Sequence, residues 1–212
     1  KLTKNLETKG ILIVISSPSG AGKTSICKKL LELDDKIRPS ISLTTRKPRN
    51  NETNGVDYIF TSIEEFDKLV AEGSFLEYAN VFNNKYGTLE SSTNDLLEKN
   101  FDVLFDIDWQ GTQQLTQSNN NILTIFILPP DKLEIERRLK KREKENLESI
   151  DIVNDRMLKF EDELSHWKEY DYVVTNDDFD KCIGEIINII SAERKKRTRQ
   201  KTLFTKIRNL TE

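Results

Sequence analysis

ILIVISSPSGAGKTSICKKLL, residues Ile11 to Leu31, holds three kinds of sequence in a fixed order. Ile11–Ile15 is apolar and β-branched, the composition of a strand buried on both faces. Ser16–Gly22 is small and glycine-rich, and Ser25–Leu33 reads as a helix. A strand leaving through such a loop into a helix aims backbone N–H groups and a helix N-terminus at one point, which is where a phosphate binds. The pattern G-x-x-x-x-G-K-[ST] is met at Gly22, Lys23 and Thr24, with Ser17 in place of the first glycine. A small residue with negative φ can occupy that position. Ser17, Pro18, Ser19, Gly20, Ala21, Gly22, Lys23 and Thr24 are therefore the candidate triphosphate loop. Gly20 and Gly22 let the backbone approach the anion, Lys23 neutralises β/γ-phosphate charge, and the Thr24 hydroxyl can hold Mg²⁺.

Around this unit runs a chain of 212 residues, long enough for one α/β domain with insertions. Charged residues make up 33%, yet apolar runs recur throughout, which argues against disorder. The formal net charge of −3 gives no global pull toward nucleic acid or an anionic membrane. The longest purely apolar run, Ile11–Ile15, is too short to span a bilayer, and no secretion signal is visible. Cys27 and Cys182 lie far apart in helix-like segments, the usage of a reduced, cytoplasmic protein. The one histidine, His166, has no Cys or His at ligand spacing and reads as a surface or packing residue.

Five runs read as strands of a buried sheet: Ile11–Ser16, Ser40–Thr44, Val103–Asp108, Ile122–Leu128 and Tyr172–Thr175. Helical patterns fall at Ser25–Leu33, Asp131–Arg142, Ile150–Trp167 and Asp178–Arg194, the last with Ile183, Ile186, Ile187 and Ile190 as a stripe. Strands alternating with helices imply a mostly parallel sheet flanked by helices. Residues 45–93 break the rhythm: short alternating runs at Val56–Phe60 and Phe75–Phe82 surround a helix near Ser62–Glu72, an inserted α+β lobe. The polar connector Glu143–Ser149 reads as a floppy link or a small lid. The expected organisation is a discontinuous core (10–44, 94–141 and 157–196), a lobe (45–93), a lid (142–156) and a basic tail (197–212). The run ERKKRTRQK in that tail is a solvated helix end or, less simply, a phosphate- or RNA-binding patch.

A phosphate loop alone does not separate ATPases, GTPases and small-molecule kinases. Asp108-Trp-Gln-Gly111 matches the short DxxG of GTPases, but no guanine-reading NKxD follows. The stretch SLTTRKPRNNETNGVDY, Ser42–Tyr58, says more. Arg46 and Arg49 flank Pro48 just after a strand, and paired guanidinium forks suit a phosphate dianion. Asp106 and Asp108, one residue apart at a strand end, point to one face by period two, where like charges need a cation or donors.

Thr44, Thr45, Arg46, Pro48, Arg49, Glu52, Gly55, Asp57 and Tyr58 match the signature T-T-R-x-P-R-x-x-E-x-x-G-x-D-Y, and with the loop the chain resembles the guanylate kinases. The likeness continues through FLEYANVFNNKYGT (75–88), DIDWQG (106–111), Pro129–Pro130 and YDYVVTNDD (170–178). The resemblance implies a P-loop kinase with an ATP core, a GMP-binding lobe and a lid. It implies transfer of the ATP γ-phosphoryl to GMP with Mg²⁺, and does not separate GMP from dGMP. Arg46, Arg49, Tyr58 and Tyr86 then clamp the GMP phosphate. Glu77 reads guanine, whose N1–H and N2–H₂ are adjacent donors that a carboxylate accepts together. Ser42 and Thr88 offer hydroxyls to the base, Asp106 lies toward the guanine, and Asp108 joins Thr24 near Mg²⁺ and the phosphates. Arg138, Arg142 and Arg156 match the arginines that neutralise the transferring phosphoryl, and Asn176 approaches adenine. Two features depart from the family: Glu143 replaces the usual Gly, and the Arg142–Arg156 interval is longer than usual. The implied partners are ATP and GMP, with no nucleic acid and no membrane, and neither monomer nor homo-oligomer is singled out. Two rivals stand beside this reading: a non-catalytic guanylate-kinase-like module that binds phosphopeptides, and a kinase for another nucleotide.

Overall fold

The protein is described by a computed structural model over residues 10–50, 52–81, 83–118, 121–131, 133–138, 159–200 and 202–211. Five strands form a fully parallel sheet in the order β2 (Ile37–Pro39), β7 (Asp102–Asp106), β1 (Leu12–Ser16), β8 (Ile122–Leu128) and β9 (Tyr172–Thr175). β1 lies at the centre, so its residues are buried on both faces. Alternate residues feed two cores. Ile11, Ile13 and Ile15 pack with Ile26 and Leu30 of α1 (Lys23–Leu33) and with Ile183, Ile186 and Ile190 of the long helix Phe179–Lys195. Leu12 and Val14 pack on the other face with Val103, Phe105 and Leu115.

The second sheet has the order β4 (Ile59–Phe60), β3 (Leu43–Thr44), β6 (Asn84–Leu89) and β5 (Phe75–Val81). Here β6 pairs antiparallel with both β3 and β5, and β3 runs parallel to β4. Helix α2 (Ile63–Ala71) is capped by the Ser62 side chain, which accepts the Glu65 N–H, and buries Phe66 against Phe75 with ring centroids 4.5 Å apart. Helices α3 (Glu90–Glu98) and α4 (Trp109–Ser118) return the chain to the core sheet. β5 is the edge strand beside α4, and its Leu76 packs into the second core cluster.

Three expectations need correction. The segment Ser40–Thr44 is not a core strand. The fifth core strand is Ile37–Pro39, an edge strand that tolerates Pro39 because the next bond to β7 is made by the Ser40 N–H, to Leu104 O at 2.8 Å. The chain then crosses over, and Leu43–Thr44 opens the second sheet. The strand expected over Val103–Asp108 ends at Asp106, so period two does not govern Asp108. The basic tail is not simply solvated: Arg199 is buried, pairs with Glu193, and donates to Asn121 Oδ1 and Ile122 O. Beyond it lies α6 (Leu203–Thr211), the long helix Phe179–Lys195 being α5. Arg142, Arg156 and the lid expected at 142–156 lie outside the described residues, as do Phe82 and the first half of the helix expected over Ile150–Trp167. Both cysteines are free and buried. His166 stacks on Trp109 with ring centroids 3.7 Å apart, a packing role. Among the described residues no helix is long and apolar enough to cross a membrane.

Candidate active site

The loop between β1 and α1 sits at the carboxyl end of the central strand, where open parallel sheets bind ligands. Gly22 stands immediately before α1 with φ of 95°, a left-handed conformation that L side chains rarely adopt. A Cβ there would also come within 2.8 Å of Asn176 Nδ2. Two side chains hold loop carbonyls. Asn176 Nδ2 donates to Ala21 O at 2.8 Å, and Arg138 NH1 donates to Gly20 O at 3.2 Å. Asn176, expected near adenine, is thus a buried prop of the loop. Glu163, which no motif singled out, accepts the Ser19 N–H at 2.8 Å. Burial pushes its carboxyl up, and the Ser19 N–H and Lys23 pull the other way.

Lys23 Nζ meets Asp106 Oδ1 at 2.7 Å and donates to Ile107 O at 3.0 Å. Asp106, expected on the guanine side, is therefore engaged with the loop lysine. Asp108 caps α4: its Oδ1 accepts the Gly111 N–H at 3.1 Å, and its own C=O accepts the Thr112 hydroxyl at 2.7 Å. Thr24 is the exposed second residue of α1. Asp108 is close enough to Lys23 to favour its charge. One hydroxyl, one carboxylate and nucleotide phosphates are the kind of donor set Mg²⁺ takes, since it is held by few protein ligands and keeps substrate oxygens. Among the described residues no cluster of three or more His, Cys, Asp or Glu forms a metal cage on its own.

Across from the loop, the second sheet carries a cationic and aromatic group. Arg46 Nε donates to Tyr86 Oη at 3.2 Å, and its guanidinium grips Glu52 with two bonds, NH1 at 2.9 Å and NH2 at 2.8 Å. Glu52 also accepts the Arg49 N–H at 2.8 Å, so one carboxylate organises both arginines. The Arg46 guanidinium carbon lies 5.4 Å from the Tyr58 ring centroid, and Tyr58 meets Tyr86 edge-on at 6.0 Å. Burial raises the Tyr58 phenol; Asp106 adds to this and Lys23 opposes it, so the phenol senses both charges of the facing loop.

Glu77 on β5 is 3% exposed, and its Oε1 has no hydrogen-bond partner among the described residues. Burial pushes its carboxyl up to about 7, against hydrogen bonds from Thr88 and with help from Asp108. Beside it Thr88 Oγ1 and Ser42 Oγ lie 3.0 Å apart. A buried carboxylate oxygen without a donor is costly, and a ligand carrying N–H groups would relieve it.

Comparison with known proteins agrees with this geometry. The family model described as guanylate kinase matches residues 9–193. The chain is 50% identical over 196 residues to a guanylate kinase of Rickettsia bellii, covering 92% of this chain and 100% of that one. It is 48% identical over 196 residues to one of Zymomonas mobilis, covering 92% and 89%. A crystal structure of guanylate kinase from Anaplasma phagocytophilum superposes with a TM-score of 0.77 at 35% identity, covering 95% of each chain. The chain belongs to the guanylate kinase family.

As a guanylate kinase it brings Lys23, Asp106 and Arg138 to one wall, and Arg46, Tyr58 and Tyr86 to the other. Glu77, Thr88 and Ser42 form the floor of the second sheet. Glu163 and Gln114 are the neighbours that sequence reasoning missed, and Gly111, quoted in DIDWQG, was given no role beside Glu77. A lone Glu in a polar helix and one of several Gln carry no pattern that would single them out.

Proposed function

We propose that this chain transfers the γ-phosphoryl group of ATP to GMP, giving ADP and GDP. A phosphate oxygen of GMP attacks the γ-phosphorus. The bond to the β–γ bridging oxygen breaks, and ADP leaves with that electron pair. The attacking oxygen is already anionic at neutral pH, so no general base is needed. Catalysis rests on in-line positioning and charge neutralisation. Lys23 and the loop amides hold the donor phosphates, with Arg138 and Asn176 fixing the loop's carbonyls. Arg46, Arg49, Tyr58 and Tyr86 hold the acceptor phosphate, and Glu77, Ser42 and Thr88 hold the guanine. Thr24 and Asp108 would hold the Mg²⁺ that comes with the nucleotide, and the ion would lower the charge barrier at the phosphates. Arg142 and Arg156 complete the proposed set.

The observation that carries this reading is the buried, donor-less Oε1 of Glu77 in the same cleft as the Arg46–Tyr86 pair and the loop lysine. Adenine presents no adjacent pair of donors and would leave that carboxylate unsatisfied. The test is a coupled assay of ADP formation with GMP, dGMP, AMP and UMP as acceptors. Rapid ADP release with the guanine nucleotides alone is expected. Equal rates with AMP would overturn the base assignment, and no GMP-dependent ADP would favour a phosphopeptide-binding module.

A further inference from the structure

We infer that Gln114 and Gly111 of α4 are specificity-determining positioning residues: they fix where the Glu77 carboxylate stands, although neither belongs to the sheet that carries it. The inference rests on the reading of Glu77 as the guanine acceptor.

β5 is the outer strand of its sheet, with β6 on one side only. Its other edge would expose free backbone groups at Tyr78, the residue after Glu77. Gln114 occupies that edge. Its Oε1 accepts the Tyr78 N–H at 3.0 Å, and its Nε2 donates to Tyr78 O at 2.6 Å. One side-chain amide thus makes the pair of bonds that a neighbouring strand would make. Its orientation is fixed, because a flipped amide would set donor against donor and acceptor against acceptor. One turn earlier, Gly111 leaves the space into which Glu77 reaches. A Cβ at Gly111 would stand 2.6 Å from Glu77 Oε2 and 3.3 Å from its Cδ. Gln114 therefore sets the backbone beside Glu77, and Gly111 sets the room for the carboxylate. α4 is itself tied to the chemistry through Asp108, its N-cap. The phosphate side and the base side of the cleft share one rigid helix.

Base discrimination reads this directly. GMP and IMP differ by the 2-amino group, one of the two donors Glu77 would accept. Binding of each to the full-length enzyme is measured by calorimetry, with Gln114→Leu and Gly111→Ala beside wild type. Both variants are expected to weaken GMP about tenfold or more and to reduce the GMP-over-IMP preference by a similar factor. The KM for ATP should stay within about twofold of wild type. Melting temperatures are recorded so that affinities are taken well below each transition. A wild-type GMP-over-IMP ratio in both variants would overturn the inference while leaving the proposed activity intact. An equal loss for GMP, IMP and ATP would also overturn it, as general damage. Failure of wild type to bind GMP would remove the parent reading and this one together.

Discussion

Lys23 Nζ and Asp106 Oδ1 lie 2.7 Å apart, joining the phosphate loop to the end of β7. Burial alone would depress the ammonium, but Asp106 outweighs it and holds the lysine charged. The cation is thus pre-positioned, and the Ile107 carbonyl at 3.0 Å fixes a second direction. Lys23→Ala should reduce kcat on the order of 10³-fold, because a charge neutralising the transferring phosphoryl is lost in a site built around it. Steady-state rates at saturating ATP and GMP check this, and near-normal turnover would contradict it.

With Glu77 as the proposed guanine acceptor, acceptor binding should depend on pH. Its carboxyl, pushed up to about 7 by burial, must be ionised to accept two guanine donors. The KM for GMP should therefore rise as pH falls below 7, approaching about tenfold per unit. The second ionisation of the GMP phosphate, near pH ~6, contributes too. Glu77→Gln removes the first titration and keeps the second, so the difference between the two profiles isolates Glu77. The sign for stability follows from the same shift. The unfolded carboxyl ionises near 4.5 and the folded one near 7. Stability associated with this group is full below 4.5 and is lost as pH rises through 7. Glu77→Gln should raise the denaturation midpoint at pH 8 and leave it nearly unchanged at pH 4. Parallel KM profiles in the two proteins would dismiss the assignment.

Much of this was legible in the residues, for identifiable reasons. A phosphate loop is a local device, since its strand, glycines, Lys23 and Thr24 are contiguous. The acceptor motif from Thr44 to Tyr58 is likewise one segment. What stayed hidden is what depends on partners far along the chain. Ile37–Pro39 is a three-residue edge strand in which only Ile37 is buried, so it carries no alternation to detect. The helix Trp109–Ser118 is poor in charge and holds a glycine, and its meaning appears only when β5 lies against it. Arg199 sits in a run of basic residues, and nothing local marks it as the one that turns inward to Glu193. The family resemblance alone points Asn176 toward adenine; its amide is spent on a loop carbonyl 155 residues away.

That amide gives the third prediction. Asn176 Nδ2 is the donor that satisfies Ala21 O, and Arg138 satisfies Gly20 O. These two bonds fix the loop backbone between Gly20 and Gly22. Asn176→Asp places an acceptor against an acceptor in a buried setting. An unsatisfied buried carbonyl costs about 1–3 kcal/mol, or roughly five- to 150-fold in affinity. The KM for ATP should rise within that range while the KM for GMP holds steady. A change confined to GMP would show that Asn176 serves the other side of the cleft.

The fourth prediction separates stability from catalysis. At the opposite end of the core sheet, Asp102 is fully buried, and its Oδ1 accepts the Ile11 N–H at 2.9 Å. Arg194 Nε donates to Asp102 Oδ2 at 2.7 Å, and its NH1 to Asp34 Oδ2 at 2.6 Å. This network ties α5 to β1, β7 and the turn after α1, far from Lys23 and Glu77. Arg194→Met keeps much of the stem but strands the Asp102 charge, whose remaining cation among the described residues, Lys36 Nζ, is 4.0 Å away. Breaking one side of a buried pair costs about 3–5 kcal/mol, whereas replacing both partners together costs less. Arg194→Met should lower the urea midpoint with little change in slope, and Asp102→Asn in the same chain should recover part of the loss. Both proteins should keep wild-type kcat and KM wherever they are fully folded. A loss under about 1 kcal/mol would mean that Lys36 moves in to replace the guanidinium, and a fall in kcat at full folding would mean that this end of the sheet communicates with the cleft.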